Sequence, residues 1–310
     1  MPSHSISQFS KTLAREVEVS GIGVHSAKPA TAKLSPAPAG TGIVFRRSDL
    51  AGGPSIPATS AFVVNTRLCT VIGRDGVTIS TVEHLMAALH ALGVDDAYVD
   101  VDGPEVPVMD GSSAPFVEAV LDAGLRSQGV VRAAIKVLAP VRVEDGDGWA
   151  EFHPFDGTRY DVTIDFASRA IGTQRLVLDL TPHTFRMHVA RARTFGSVQD
   201  LLKLRAMGLQ LGSSLENSVG LDGDEIMNPE GLRQPDEFVR HKTLDAIGDL
   251  ALAGLPFIGE FRSHKGGHTL NAKALGALLS DSRSHMVVGA APVYAGSSQH
   301  RLAAAFAPDR

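Results

Sequence analysis

One helix in this chain has no side left for water. Across residues 81–92, Val82, Leu85, Met86, Leu89 and Leu92 recur at helical spacing and make one apolar stripe. The opposite side holds Ala87, Ala88 and Ala91, where a wet surface would carry lysine and glutamate. Small residues there let another element approach closely, so the helix is expected to be sandwiched. Gly93 is its expected stop, in the left-handed conformation that ends many helices. Glu83 and His84 lie off the stripe. Ser80-Thr81-Val82-Glu83 fits a capping box, with Ser80 as N-cap and Glu83 reaching back to it. His84 alone reads equally well as a satisfied core histidine.

The surrounding pattern repeats. Residues 15–48 read as short alternating strands cut by glycine and proline; the helix, a strand near 95–108 and a second helix ending near Gly124 follow. From about 131 strands return, with turns at 145–148 and 156–157. Then come a mixed stretch at 183–233, a strong helix over about 235–253, a strand, a glycine-rich loop and a helix near 270–280. Each half thus runs strands, helix, strand, helix. The expected architecture is α+β in two similar domains: 1–129, and 130–310 carrying the 183–233 insertion.

Composition narrows the class of partner. A length of 310 residues suffices for two ordinary domains. A net charge of −5 argues against a general nucleic-acid binder, which needs a basic face. The single cysteine, Cys69, allows no intrachain disulfide and most simply packs as a small apolar side chain. The first twenty residues show no signal-peptide core, and the longest apolar run, 250–259, is too short to span a bilayer. A cytoplasmic protein with no transmembrane segment is expected.

The helix at 235–253 changes what His84 can mean. Val239, Leu244, Ile247, Leu250 and Ala251 form its apolar side, while His241, Asp245 and Asp249 fall at i, i+4 and i+8 on the other. That spacing puts an imidazole and a carboxylate over one patch of surface; alone, it describes an ordinary ion pair equally well. If the halves are duplicated, the two helices are partners and can meet at the domain interface, where pockets form. Together they offer His, His and Asp as ligands, with Glu83 beside them. A hydrolytic zinc site needs that inventory: three ligands, an open position for water and a carboxylate base.

The segments "TVEHLMAAL", "PVMDGSSAPFV", "RARTFG", "DEFVRHKTLDAIGDLALAG" and "HKGGHTLN" strongly resemble the UDP-3-O-acyl-N-acetylglucosamine deacetylase family, over roughly residues 14–280. These are zinc enzymes of early lipid A synthesis. The resemblance implies two similar α+β domains with their helices packed between two sheets. It implies a Zn2+ site, open to Fe2+ as well, at His84, His241 and Asp245. Glu83 would be the general base, His268 the cationic acid that stabilises the oxyanion and protonates the leaving amine, and Thr194 the hydroxyl that polarises the carbonyl. Asp249 is the candidate to hold and charge-balance His268. Lys242, Lys265, Phe166 and Phe195 match positions around the sugar, phosphate and nucleotide. His25 is a candidate substrate or proton-network residue, whereas Asp110 reads as a turn former. The insertion would pass the fatty acyl chain between Leu201, Leu204, Met207, Leu209 and Leu211. The implied partner is a UDP-linked acylated amino sugar, and the implied state a monomer.

Some positions depart from the family pattern. Ser168-Arg169 stands where His-Pro is usual, Gly-Ser-Ser at 212–214 where Gly-Gly-Ser is expected, and Gln210 and Ser218 make the insertion more polar. These changes spare the metal set and bear on acyl length. Two other readings remain. A non-catalytic UDP-sugar-binding module with a structural metal would need neither Glu83 nor His268. A zinc peptidase is disfavoured by the absence of His-Glu-x-x-His.

Overall fold

The computed structural model describes residues 8–289. The first seven residues of the expected N-terminal domain and the last twenty-one of the C-terminal one lie outside the described residues. Six α-helices are present among those described: α1 (Glu83–Leu92), α2 (Ala114–Ala123), α3 (Pro182–His188), α4 (Val198–Ala206), α5 (Glu237–Ala251) and α6 (His268–Ser280).

Two sheets share one topology. The first runs Val17–Ile22, Pro29–Pro36, Ala97–Val101, Ile43–Arg47, Ser55–Pro57 in spatial order. Only Ile43–Arg47 and Ala97–Val101 are parallel neighbours. The second repeats the order with Val141–Asp145, Gly148–His153, Phe257–His264, Thr158–Asp165 and Thr173–Asp179. Again the central strand, Phe257–His264, runs parallel to Thr158–Asp165, and at its start also to Ala134–Val137. Ala134–Val137 and His285–Val288 extend this sheet to seven strands. In each half a helix precedes the central strand and another follows it, α1 and α2 in the first, α5 and α6 in the second. Each half also inserts a small three-stranded sheet before its first long helix: Val63–Asn65, Val71–Arg74 and Val77–Ile79 in one, Phe195–Ser197, Val219–Asp222 and Glu225–Ile226 in the other. The insertion read at 183–233 therefore has a shorter counterpart near 60–80. The expected boundary at 129/130 falls inside the strand Leu125–Val131, which pairs back with Phe9–Leu13.

The helices α1, α2, α5 and α6 lie between the sheets. α1 packs along α5, α2 lies against α1 and the first sheet, and α6 against α5 and the second. One continuous apolar core runs from Leu34, Phe45 and Val99 through Leu85, Leu89, Leu244 and Ile247 to Phe152, Tyr160 and Phe261. Strands facing it alternate: in Gly148–His153, Gly148, Ala150 and Phe152 are buried and their neighbours half-buried. Every residue of α1 except His90 is buried, as its lack of a polar face requires.

The start of α1 differs from expectation. Its N-cap is Val82 and no side chain caps it. The chain enters through Thr81 at φ 60°, a left-handed conformation rare for a β-branched residue. Ser80 therefore never reaches the N-cap position, and the expected capping box does not form. The Glu83 carboxylate is free to turn elsewhere. Gly93 ends the helix at φ 78°, with its N–H on the carbonyls of Leu89 and His90. No helix among the described residues is long and apolar enough to cross a membrane.

Candidate active site

α1 and α5 bring His84, His241 and Asp245 together across more than 150 positions of sequence. One ligand atom from each lies within 4.8 Å of the others, and all three residues are buried. His84 Nε2 is 3.7 Å and His241 Nε2 3.3 Å from Asp245 Oδ1. Ligand atoms about 2.0–2.2 Å from a tetrahedral ion lie about 3.3–3.6 Å apart, and both His–Asp distances are close to that spacing. Asp245 Oδ1 is buried with no hydrogen-bond partner, an arrangement that costs stability unless something occupies it.

Neighbouring groups prepare these ligands. His241 Nδ1 donates to the carbonyl of Ala192 at 3.0 Å, which leaves Nε2 with its lone pair. Burial lowers the pKa of His241, and burial with His241 alongside depresses His84 to about 3, so both rings are neutral. Burial opposes the charge on Asp245, but His241, Lys242 and His268 hold its carboxyl well below the usual range. Two neutral imidazoles and one carboxylate, with an orphaned oxygen between them, fit a divalent cation. The Ser113 hydroxyl donates to the His84 carbonyl at 2.6 Å and ties α2 to α1 there.

Beside this cluster sit two carboxylates and a histidine. Glu83 is 3% exposed, and burial pushes its carboxyl up to about 7. Its Oε2 accepts the backbone N–H of Thr70 at 3.0 Å. Asp249, two turns beyond His241 on α5, accepts three hydrogen bonds. Thr70 Oγ1 donates to Oδ1 at 2.6 Å; His268 Nδ1 at 2.9 Å and Asn271 Nδ2 at 2.8 Å donate to Oδ2. Burial works against a charged His268, but Asp249, then Asp245 and Glu83, raise its pKa to about 9. Asp249 thus stands where it can charge-balance His268.

A cavity of about 650 Å³ opens onto these groups and is lined by Glu83, His84, Thr194, His241, Asp245 and His268. His25, Phe195 and Lys242 also line it. Lys242 Nζ donates to Asp245 Oδ2 at 2.9 Å and lies 5.6 Å from the Phe195 ring centre. Phe166 stands edge-on to Phe195 at 5.6 Å, at 40% exposure. Lys265 lines a neighbouring cleft with Thr66, Arg67 and His268, and pairs with Asp147 and Asp165. From the insertion, Leu201 and Leu204 line the cavity with Leu215 and Met227, beside Gln210, Ser213 and Ser218. Met207 and Leu211 instead are 60% and 45% exposed. Cys69 lines the cavity and is buried; burial pushes its thiol up to about 12. Asp110 is a turn former, accepting Ser112 N–H and Oγ–H and pairing with Arg233.

Three residues around the site went unnoticed in the sequence. Thr70 touches two carboxylates, those of Glu83 and Asp249. Glu105 is buried and accepts the backbone N–H of His25 at 2.8 Å and of Ser26 at 3.2 Å, with hydroxyls of Ser26 and Thr81 at 3.0 and 3.3 Å. It fastens the His25 loop to the turn that enters α1. Arg193, also buried, pairs with Glu237 at the start of α5 and so fixes the segment 192–194 that supplies the Ala192 carbonyl and Thr194. Each makes contacts between distant segments, which periodicity cannot reveal; for Glu105 and Arg193 the one available signal was their charge, and Thr70 offered none.

A family model described as UDP-3-O-acyl N-acetylglycosamine deacetylase matches residues 10–280. The UDP-3-O-acyl-N-acetylglucosamine deacetylases of Brucella ovis and Brucella abortus are each 51% identical over 283 residues, covering 91% of this chain and 99% of theirs. That of Brucella melitensis is 50% identical over the same extent. The chain belongs to the UDP-3-O-acyl N-acetylglycosamine deacetylase family.

Proposed function

We infer that this chain hydrolyses the acetamide of UDP-3-O-acyl-N-acetylglucosamine and releases acetate, a step of lipid A biosynthesis. The observation that carries the reading is the gathering of His84, His241 and Asp245 on a cavity that Glu83, Thr194 and His268 also line. His84, His241 and Asp245 would hold Zn2+, and the same donors accept Fe2+. Bound there, the ion supplies Lewis acidity and brings the pKa of a bound water to about 7.

The chain's own groups then divide the proton work. Glu83 takes the proton of the attacking water, with a basicity suited to neutral pH. Attack on the amide carbonyl gives a tetrahedral carbon, and Thr194 donates its hydroxyl to the oxygen that gains charge. His268, protonated against Asp249, hands its proton to the departing nitrogen, which leaves poorly as an anion. Lys242, Phe195, Phe166 and His25 bind the sugar end, and Lys265, beside the α6 N-terminus, the phosphate portion. The acyl chain runs between Leu201, Leu204, Leu215 and Met227. A UDP-linked substrate fits a cytoplasmic enzyme.

Acetate release from the UDP-linked substrate tests this reading. Removing the metal with a chelator is expected to abolish turnover until a divalent ion is restored. Glu83→Gln is expected to lose about 10²–10⁴-fold in kcat. Full turnover in either condition would contradict the assignment.

A further inference from the structure

Thr70 is 2% exposed and sits just ahead of the strand Val71–Arg74, in the small sheet that the first half inserts before α1. Both of its donors are spent on carboxylates: its N–H on Glu83 Oε2, its hydroxyl on Asp249 Oδ1. Its carbonyl also accepts the N–H of Val82, the residue that opens α1. One buried residue therefore touches both carboxylates, Glu83 through its backbone N–H and Asp249, which holds His268, through its hydroxyl.

The residues before it are arranged to deliver it. Leu68 adopts φ 71°, a left-handed conformation uncommon for leucine. Asn65 Oδ1 accepts the N–H of Arg67 and secures the turn. Left-handed non-glycine residues persist where the surroundings impose them and cluster at functional sites. On the other side, Asp249 has three donors on two oxygens, and the Thr70 hydroxyl is the one on Oδ1. Without it the carboxylate can rotate about its last bond, and the His268 ring it holds can rotate with it.

We propose that Thr70 is a positioning residue that fixes Glu83 and the Asp249–His268 pair relative to each other, so that the group receiving a proton and the group giving one address the same bond. It touches neither substrate nor metal and acts through the two carboxylates. The proposal rests on the roles assigned above to Glu83 and His268.

Thr70→Val keeps the shape and the N–H and removes the hydroxyl; Thr70→Ser keeps both donors. Steady-state kinetics, metal content and thermal unfolding are measured on each. Thr70→Val is expected to lower kcat about 10–100-fold, the usual cost of removing a group that orients a catalytic one, with KM and metal content unchanged. Thr70→Ser should stay within about threefold of wild type, by the same scale. Made in an Asp249→Asn background, Thr70→Val should add almost nothing, because the partner of its hydroxyl is already altered. Wild-type kcat in Thr70→Val overturns the proposal, as does a full multiplicative loss in the double variant, or a loss that follows metal content and Tm. Thr70→Ala is read in the same way if valine prevents folding. A wild-type enzyme inactive on the UDP-sugar would instead sink the functional reading itself.

Discussion

Gly248 of α5 lies flat against the backbone carbonyl of Glu83 on α1. A Cβ built on Gly248 would overlap that carbonyl. The two helices that carry the metal set therefore cross at backbone contact distance, and the side-chain atoms of His84, His241 and Asp245 reach one another because of it.

Gly248→Ala should pry the helices apart. Overpacking of a tight contact costs about 1–3 kcal/mol, and here the displaced backbone belongs to Glu83 and His84. Thermal unfolding should shift downward, and divalent-metal content per chain should fall with it. Wild-type values of both would show that the crossing tolerates separation.

Glu105 predicts a link between stability and substrate binding. Its carboxylate receives donors from His25, Ser26 and Thr81. Glu105→Gln turns one acceptor into a donor amid donors, and leaving a buried donor unsatisfied costs about 1–3 kcal/mol. Urea unfolding should report that loss. Because His25 lines the cavity, KM for the UDP-sugar should rise in the same variant. A change in neither would mean the loop holds itself.

On the proposed mechanism, His268 sets the alkaline behaviour. Its folded pKa is raised from 6.5 to about 9, so the stability from its pairing with Asp249 is complete below about 6.5 and is lost as pH rises through about 9. A divalent cation nearby lowers that upper value. Accordingly kcat should fall along an alkaline limb at or below about 9. His268→Gln should lose about 10²–10⁴-fold in kcat and with it that limb. An unaltered limb in the variant would assign it to another group.

Much of this arrangement could be read in the sequence, for a definite reason. The sandwiched α1, its Gly93 stop and the His241, Asp245, Asp249 row on α5 are all periodic features, and period is what one chain displays. Contacts without a period stayed hidden. Thr70 meets Asp249 across 179 positions, and Glu105 meets His25 across 80. Gly248 carries no such signal, since only the partner helix reveals why a side chain is excluded. The capping box failed because Thr81 turns left-handed, a backbone choice its side chain does not announce. Within the insertion, Leu201 and Leu204 line the cavity while Met207 and Leu211 face solvent; apolar composition alone cannot sort them.

Metal binding by cobalt-substituted protein is the most direct measurement of the central claim. Co2+ should bind at one equivalent per chain and give the intense visible bands of a low-coordinate site. His84→Ala, His241→Ala and Asp245→Ala should each weaken binding and alter the bands, while Asp249→Asn should leave stoichiometry intact. Unchanged cobalt stoichiometry and spectrum in all three ligand variants would contradict the account, because the ion would then be held elsewhere.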